Sequence, residues 1–295
     1  MDIRNIHVEA STFCNARCPL CPRSLYGYKV EGVYPEVHLD VKKLEDCLYR
    51  FPNRDYVYFN GNLGDPMMNP YILELALLTK CRTSITTNGS IGSKDTWVGL
   101  AENGIEVTFS VDGLQDTNHL YRQDVEWSKV IDRMNWFIDK GGKATWKFVV
   151  FKHNSHQKLQ ARELSKKLGF ANFIVEDHGR NYGPALDKDG NVTHWILPED
   201  DSRHPEKYDV ATGIERYKQT HKNFKIENRI YDIFCEHLQN NSVYINAHGH
   251  IAPCCYQGFD LPGLPFVPVE DFIKLKSTWK TNRCDPVCAR SCALK

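Results

Sequence analysis

Along the first 177 residues the hydrophobic positions switch repeatedly between two periods. Val41, Leu44, Cys47, Leu48 and Phe51 recur at helical spacing and predict a helix from Asp40 to Phe51. Short runs rich in apolar, β-branched and aromatic residues predict strands at Ile6 to Ala10, Tyr56 to Phe59, Thr83 to Thr87, Ile105 to Val111, Thr145 to Phe151 and Asn172 to Glu176. Helical patterns fall between them, at Tyr71 to Leu78, Thr96 to Glu102, Trp127 to Asp139 and His156 to Leu168. Asn88-Gly89 and Asp112-Gly113 are turn pairs that stop two of the strands. This alternation predicts an α/β fold of repeated βα units on a parallel sheet, where ligands sit at the carboxyl ends of the strands. Strand counting alone does not separate a doubly wound sheet from a barrel.

The rhythm breaks after Gly179. Residues 181–230 carry Pro, Gly and many charges, and read as a bridging insertion with a turn at Asp189-Gly190 and a helix near Gly213 to His221. From Cys235 the texture changes again, and Tyr244, Ile245 and Ile251 predict a hairpin between Cys235 and Cys254. The chain therefore divides into a core over 1–180, the insertion over 181–230 and a small cysteine-rich domain over 231–295.

Charge narrows the function classes. The chain has 37 basic and 37 acidic residues in 295, so it sets up no long-range field to gather phosphates, and neither nucleic acid nor an anionic membrane is expected as a partner. No apolar run approaches membrane-spanning length, and Met1 to Asn5 does not begin a signal peptide, so the expected location is the cytoplasm. Eleven cysteines in a reducing compartment point to metal rather than disulfides. Cys47 and Cys81 stand alone and read as small buried hydrophobes, while the other nine fall into two groups.

The first group is Cys14, Cys18 and Cys21, spaced C-x3-C-x2-C directly after the first predicted strand. A structural zinc site wants four ligands, usually in two C-x2-C-like pairs, whereas three clustered cysteines can hold three irons of a [4Fe-4S] cube and leave the fourth open. A zinc knuckle is the competing reading. The spacing and its place after the first strand resemble the radical S-adenosylmethionine (radical SAM) superfamily. That resemblance implies a partial, open (β/α)6 barrel. It also implies SAM chelated at the open iron and cleaved by a cluster electron to methionine and a 5′-deoxyadenosyl radical, which abstracts a substrate hydrogen. Leu20 stands where the family often has an aromatic residue against the adenine.

Further positions are matched to the family's SAM contacts. Gly61-Asn62-Leu63-Gly64-Asp65-Pro66 stands where relatives carry a Gly-Gly-Glu-like segment whose backbone meets the methionyl amino group, which singles out Gly64 and Asp65. Ser110 resembles the ribose and carboxylate contact. Arg122 is placed to pair with the SAM carboxylate, and Asn88 and Asn154 are additional polar contacts. A general base for substrate is sought among strand-end residues Asp112, Glu176, Asp177 and His178.

The second group spans Cys235, Cys254, Cys255, Cys284, Cys288 and Cys292. Its C-x13-G-x4-C opening resembles the SPASM or shorter twitch domain of many radical SAM enzymes, which implies one auxiliary Fe–S cluster held by Cys235, Cys254 and two of Cys284, Cys288 and Cys292. Cys255 is a further candidate, set aside because adjacent strand residues point oppositely. A zinc ribbon is the rival, and a protein with two structural zinc sites would be a binding module rather than an enzyme. The resemblance implies a peptide or protein substrate, with a sugar or alcohol as the alternative, and an electron donor such as flavodoxin or ferredoxin.

Overall fold

The structure, a computed structural model, describes residues 2–32, 36–177, 182–200, 211–215, 232–258, 268–280, 287–288 and 292. The predicted alternation is present: β1 (Asn5–Val8), α1 (Val41–Tyr49), β2 (Tyr56–Asn60), α2 (Ile72–Leu78), β3 (Arg82–Thr87), α3 (Lys94–Glu102) and β4 (Glu106–Ser110). It continues with α4 (Asn118–Tyr121), α5 (Trp127–Ile138), β5 (Ala144–Val150), α6 (Lys158–Leu168) and β6 (Asn172–Asp177). Helix α4 is one turn long, and too short a segment to show a period in the sequence. Local chemistry fixes several ends. Asp40 caps α1 by accepting from Lys43 N, Ser93 caps α3 by accepting from Thr96 N, and Gly169 closes α6 in the left-handed region at φ 89°.

The predicted turn at Asp189-Gly190 joins β7 (Gly183–Leu186) and β8 (Val192–Ile196), an antiparallel pair separate from the main sheet. Of the helix predicted over Gly213 to His221, residues 211–215 are helical and 216–221 lie outside the described residues. Helix α7 (Glu236–Gln239) follows Cys235, and β9 (Ser242–Ile245) and β10 (Ile251–Ala252) form the predicted hairpin.

That hairpin joins the main sheet. The eight strands run β10-β9-β1-β2-β3-β4-β5-β6, and every neighbouring pair is parallel except β10 with β9. β1 is therefore interior, flanked by β2 and by β9, with Val8 opposite both Phe59 and Ile245. β10 and β6 are the two edges, so the sheet is open, consistent with a partial barrel.

Side-chain alternation gives the sheet two unlike faces. Val57, Phe59, Ile85, Val107 and Phe109 are buried on the helix-covered face. There Trp97 of α3 stacks on Phe109 at 5.2 Å, and Phe137 of α5 meets both edge-on. Each such aromatic pair adds roughly 1 kcal/mol beyond the area it buries. The other face is polar: Tyr56 Oη and Ser84 Oγ lie 2.5 Å apart, Arg82 pairs with Glu106 at 2.8 Å, and Lys147 pairs with Glu176 at 2.6 Å. No helix among the described residues is long and apolar enough to cross a membrane.

Candidate functional site

The cysteine loop leaves the carboxyl end of β1 and is tied to segments from across the sheet. Ser11 Oγ and His38 Nδ1 lie 3.0 Å apart, and Thr12 N donates to the Val37 carbonyl while its hydroxyl accepts from Val37 N. Asn15 donates to Ser90 Oγ and accepts from Asn88 Nδ2. Arg17 pairs with Asp124 at 2.7 Å and donates to the Gly27 carbonyl, and Arg23 donates to the Leu63 carbonyl. The loop is thus held from several sides before any ligand binds.

Cys14, Cys18 and Cys21, none of them in a disulfide, line one cavity of about 180 Å³, together with Arg17, Arg23, Lys29, Glu36 and Asp124. Burial pushes the Cys14 thiol well up and the Cys18 thiol to about 11, and the Arg122 guanidinium, 3.6 Å from Cys18 Sγ, opposes the shift at Cys18. Among the described residues, no three His, Cys, Asp or Glu side chains gather as ligands of a single metal ion would. A [4Fe-4S] cube does not ask for that, since each cysteine meets a different iron. Three soft donors on one cavity therefore fit a cluster better than a structural zinc, which needs a fourth ligand. Leu20 is half-buried and packs against the core.

The segment Gly61 to Pro66 closes tightly against this loop. A Cβ on Gly64 would lie 2.0 Å from the Ser11 carbonyl oxygen and 2.6 Å from that of Phe13, so only glycine fits. Asp65 belongs to the segment expected to meet a ligand through its backbone. Its buried carboxylate accepts from Met67 N, Thr87 Oγ1 and Asn88 N and so braces the turn, and burial raises its pKa against those donors. The sequence reading missed Glu9. Its carboxylate accepts from Asn62 N, Leu63 N and Gly64 N and from the Tyr244 hydroxyl. The signal was available as an acidic residue inside an otherwise apolar strand pattern.

Other expectations are corrected by what the side chains touch. Arg122 was expected to face a cofactor carboxylate, but its Nε donates to Asp112 Oδ2 at 2.7 Å. Burial works against its charge, yet Asp112 and Cys18 outweigh burial and raise its pKa. Asp112 is 0 % exposed and also accepts from Val149 N, so both carboxylate oxygens are taken and it is a poor candidate base. Asn88 is committed to Asn15 and Ser90, and Asn154 to Phe151 N and the Asp112 and Val149 carbonyls. Ser110 is buried at the end of β4, opposite Lys147 in β5. Glu176 is held by Lys147 on the polar face. His178 and the Asp177 side chain lie outside the described residues.

In the second group, Cys254 and Cys288 are buried, and Cys235, Cys255 and Cys292 are partly so. Gln257 Nε2 donates to Cys288 Sγ at 3.5 Å, and Phe234 N donates to the Cys292 carbonyl. Burial raises the thiols of Cys254, Cys255 and Cys292, with repulsion from Cys255 and Cys288 adding at Cys254 and from Cys292 at Cys255. Cys255 follows β10 in a turn, so strand alternation gives no reason to set it aside. Cys284 lies outside the described residues.

Comparison with known proteins follows the same lines. Residues 8–161, a little over half of the chain, match the model described as the radical SAM superfamily. A search of curated proteins gives no match. Among solved structures, the Streptococcus suis protein SuiB bound to S-adenosylmethionine aligns with a TM-score of 0.59 at 18% identity, over 98% of this chain and 68% of SuiB, and SuiB is also known bound to its precursor peptide SuiA. Native anSMEcpe with bound AdoMet aligns with a TM-score of 0.46 at 21% identity, over 59% of this chain and 54% of its own. BtrN in complex with AdoMet and 2-DOIA aligns with a TM-score of 0.49 at 14% identity, over 98% of this chain and 93% of BtrN. This chain thus spans about half of anSMEcpe and two thirds of SuiB, and the likeness to SuiB is one of fold. With the family model covering the cysteine loop and β2 to β5, this chain belongs to the radical SAM superfamily.

Proposed function

We propose that this chain is a radical SAM enzyme that holds a [4Fe-4S] cluster through Cys14, Cys18 and Cys21 and binds S-adenosylmethionine at the carboxyl end of the sheet. The cluster and SAM together would supply a 5′-deoxyadenosyl radical able to take hydrogen from a substrate carbon. The observation that carries this is the set of three cysteines lining one cavity, on a loop held from several sides. The chain's own part is to keep that loop rigid, to favour the Cys18 thiolate with the Arg122 guanidinium, and to present the Gly61–Pro66 backbone beside the loop.

A C-terminal auxiliary Fe–S cluster of SPASM or twitch type belongs to the same proposal. Cys235, Cys254 and two of Cys284, Cys288 and Cys292 are its expected ligands, and Cys255 joins them as a candidate. The substrate is proposed to be a peptide or protein, a reading supported by SuiB having been seen with its precursor peptide. The polar inner face, with Lys147 and Glu176 half-exposed, offers charged groups to such a chain, and with Asp112 committed to Arg122 and Val149 N, Glu176 is the remaining base candidate whose side chain is described. A flavodoxin or ferredoxin in a reducing cytoplasm is the proposed electron source.

The test is anaerobic reconstitution followed by iron and sulfide counts and by assay of 5′-deoxyadenosine release from SAM under reduction. Release is expected from the wild type, and Cys18→Ala is expected to reduce it to background. A colourless protein that retains zinc and releases no 5′-deoxyadenosine would instead identify a zinc-stabilised binding protein.

A further inference from the structure

Glu9 follows β1 and is 1 % exposed. Its Oε2 accepts from Asn62 N at 2.8 Å, and its Oε1 from Leu63 N at 3.1 Å and Gly64 N at 3.0 Å. Successive backbone N–H groups aimed at one point make an anion-holding nest, and here the anion is the protein's own side chain. The fourth donor is the Tyr244 hydroxyl at 3.0 Å, from β9. From the other side, Arg23, two residues beyond Cys21, donates to the Leu63 carbonyl at 3.2 Å.

A buried carboxylate is an expensive way to end a turn, and burial pushes this one up to about 7 even against four donors. What it adds over a neutral acceptor is orientation. It fixes three consecutive peptide planes with their N–H groups turned towards Glu9, in the segment that Gly64 lets approach the Ser11 and Phe13 carbonyls at the base of the cysteine loop. It also joins that segment to the C-terminal hairpin, because Tyr244 pairs with Ala252 and Cys254 follows directly.

We propose that Glu9 is a positioning residue for S-adenosylmethionine: its carboxylate sets the Asn62–Gly64 backbone, and Tyr244 couples that backbone to the hairpin leading to Cys254. This rests on the reading of Gly61 to Pro66 as the segment that meets the methionyl amino group. In Glu9→Gln the amide nitrogen would face backbone donors with a donor of its own, so part of the nest opens. Tyr244→Phe removes one donor and keeps the ring.

The experiment uses the full chain, anaerobically reconstituted, and measures the SAM dissociation constant by equilibrium dialysis alongside the KM for SAM and kcat. Glu9→Gln is expected to weaken SAM binding and raise the KM about tenfold, with kcat changed less than about twofold. Tyr244→Phe is expected to do the same by about threefold. A purely structural Glu9 predicts a lower melting temperature with an unchanged KM among the molecules that remain folded, and that result overturns the proposal. If Glu9→Gln does not fold, Tyr244→Phe decides alone, an unchanged KM counting against. A wild type that binds no SAM brings down the underlying reading and this inference with it. A wild type that binds SAM, with both variants equal to it, brings down this inference only.

Discussion

The two cysteine regions are built in different ways. Cys14 to Cys21 sit on a loop whose partners come from far along the chain: His38, Leu63, Asn88, Ser90, Gln123 and Asp124. The described bonds at Cys235, Cys254 and Cys255 themselves stay within the C-terminal cysteine region, some local and some between its segments, as from Phe234 N to the Cys292 carbonyl and from Gln257 to Cys288. Asn246 Oδ1 accepts from His248 N and His250 N, the Cys254 carbonyl accepts from Gln257 N and Gly258 N, and α7 follows Cys235 directly. A site laced to distant strands keeps its shape without its metal, whereas a site bonded within its own small region draws more of its order from a metal it would bind. The contrast suits the roles proposed for them, a catalytic site that would meet a substrate in one geometry and an auxiliary site that would only hold a cluster nearby.

The largest effect is expected from separating the two sites genetically. Cys254→Ala is expected to remove the iron of the second site, to increase protease cleavage within 232–258, and to leave 5′-deoxyadenosine release within a few-fold of wild type. This is the opposite of the outcome expected for Cys18→Ala. Equal loss of 5′-deoxyadenosine release in both variants would show that the sites are not separable, and the contrast would fail.

Next in size is the brace beneath the first site. Asp112 is fully buried, bonded to Arg122 Nε and Val149 N, and Arg122 in turn reaches Cys18. Asp112→Ala leaves a largely buried guanidinium without its partner, which costs about 3–5 kcal/mol. Urea unfolding of the reconstituted protein measures it. A loss below about 1 kcal/mol would mean that solvent reaches Arg122 and that the brace is not what holds the loop.

Much of this fold was legible because a period is a local property. The turn pairs Asn88-Gly89 and Asp112-Gly113 marked strand ends, whereas the caps at Asp40, Ser93 and Gly169 were seen only in the structure. The cysteine loop was equally legible, since spacing within eight residues encodes a shared site. Asp112 was found as a polar group at a strand end and Arg122 downstream of it, and both were given outward roles. Sequence reports that a carboxylate stands at a strand end and cannot report that a guanidinium and a backbone N–H already occupy it. Glu9 and Tyr244 are 235 positions apart, and their bond exists only because β9 pairs parallel with β1. That pairing has no local signature, so the hairpin was foreseen and its place beside β1 was not.

The smallest predicted effect lies at the joint between the two regions. His7 on β1 stacks on Tyr58 at 4.7 Å and meets Tyr244 edge-on at 5.0 Å, with Nε2 2.6 Å from the Asn60 carbonyl. Burial lowers its pKa to about 4, from 6.5. Between those values the unfolded chain takes up a proton at position 7 that the folded chain refuses. Stability from this group is therefore complete above pH 6.5 and is lost as pH falls towards 4, by about 3 kcal/mol at most. Glu9, raised by burial to about 7, acts with the opposite sign: its contribution is present below pH 4.5 and is lost as pH rises through 7. The two partly cancel in the wild type, so the pH profile of the wild type alone hides both. The difference in unfolding free energy between wild type and His7→Gln isolates the histidine, because glutamine can still donate to Asn60 and does not titrate. That difference is expected to fall by about 3 kcal/mol from pH 7 to pH 4. A flat difference would mean that His7 accepts a proton in the folded state, and that the joint between the hairpin and the barrel is open to water.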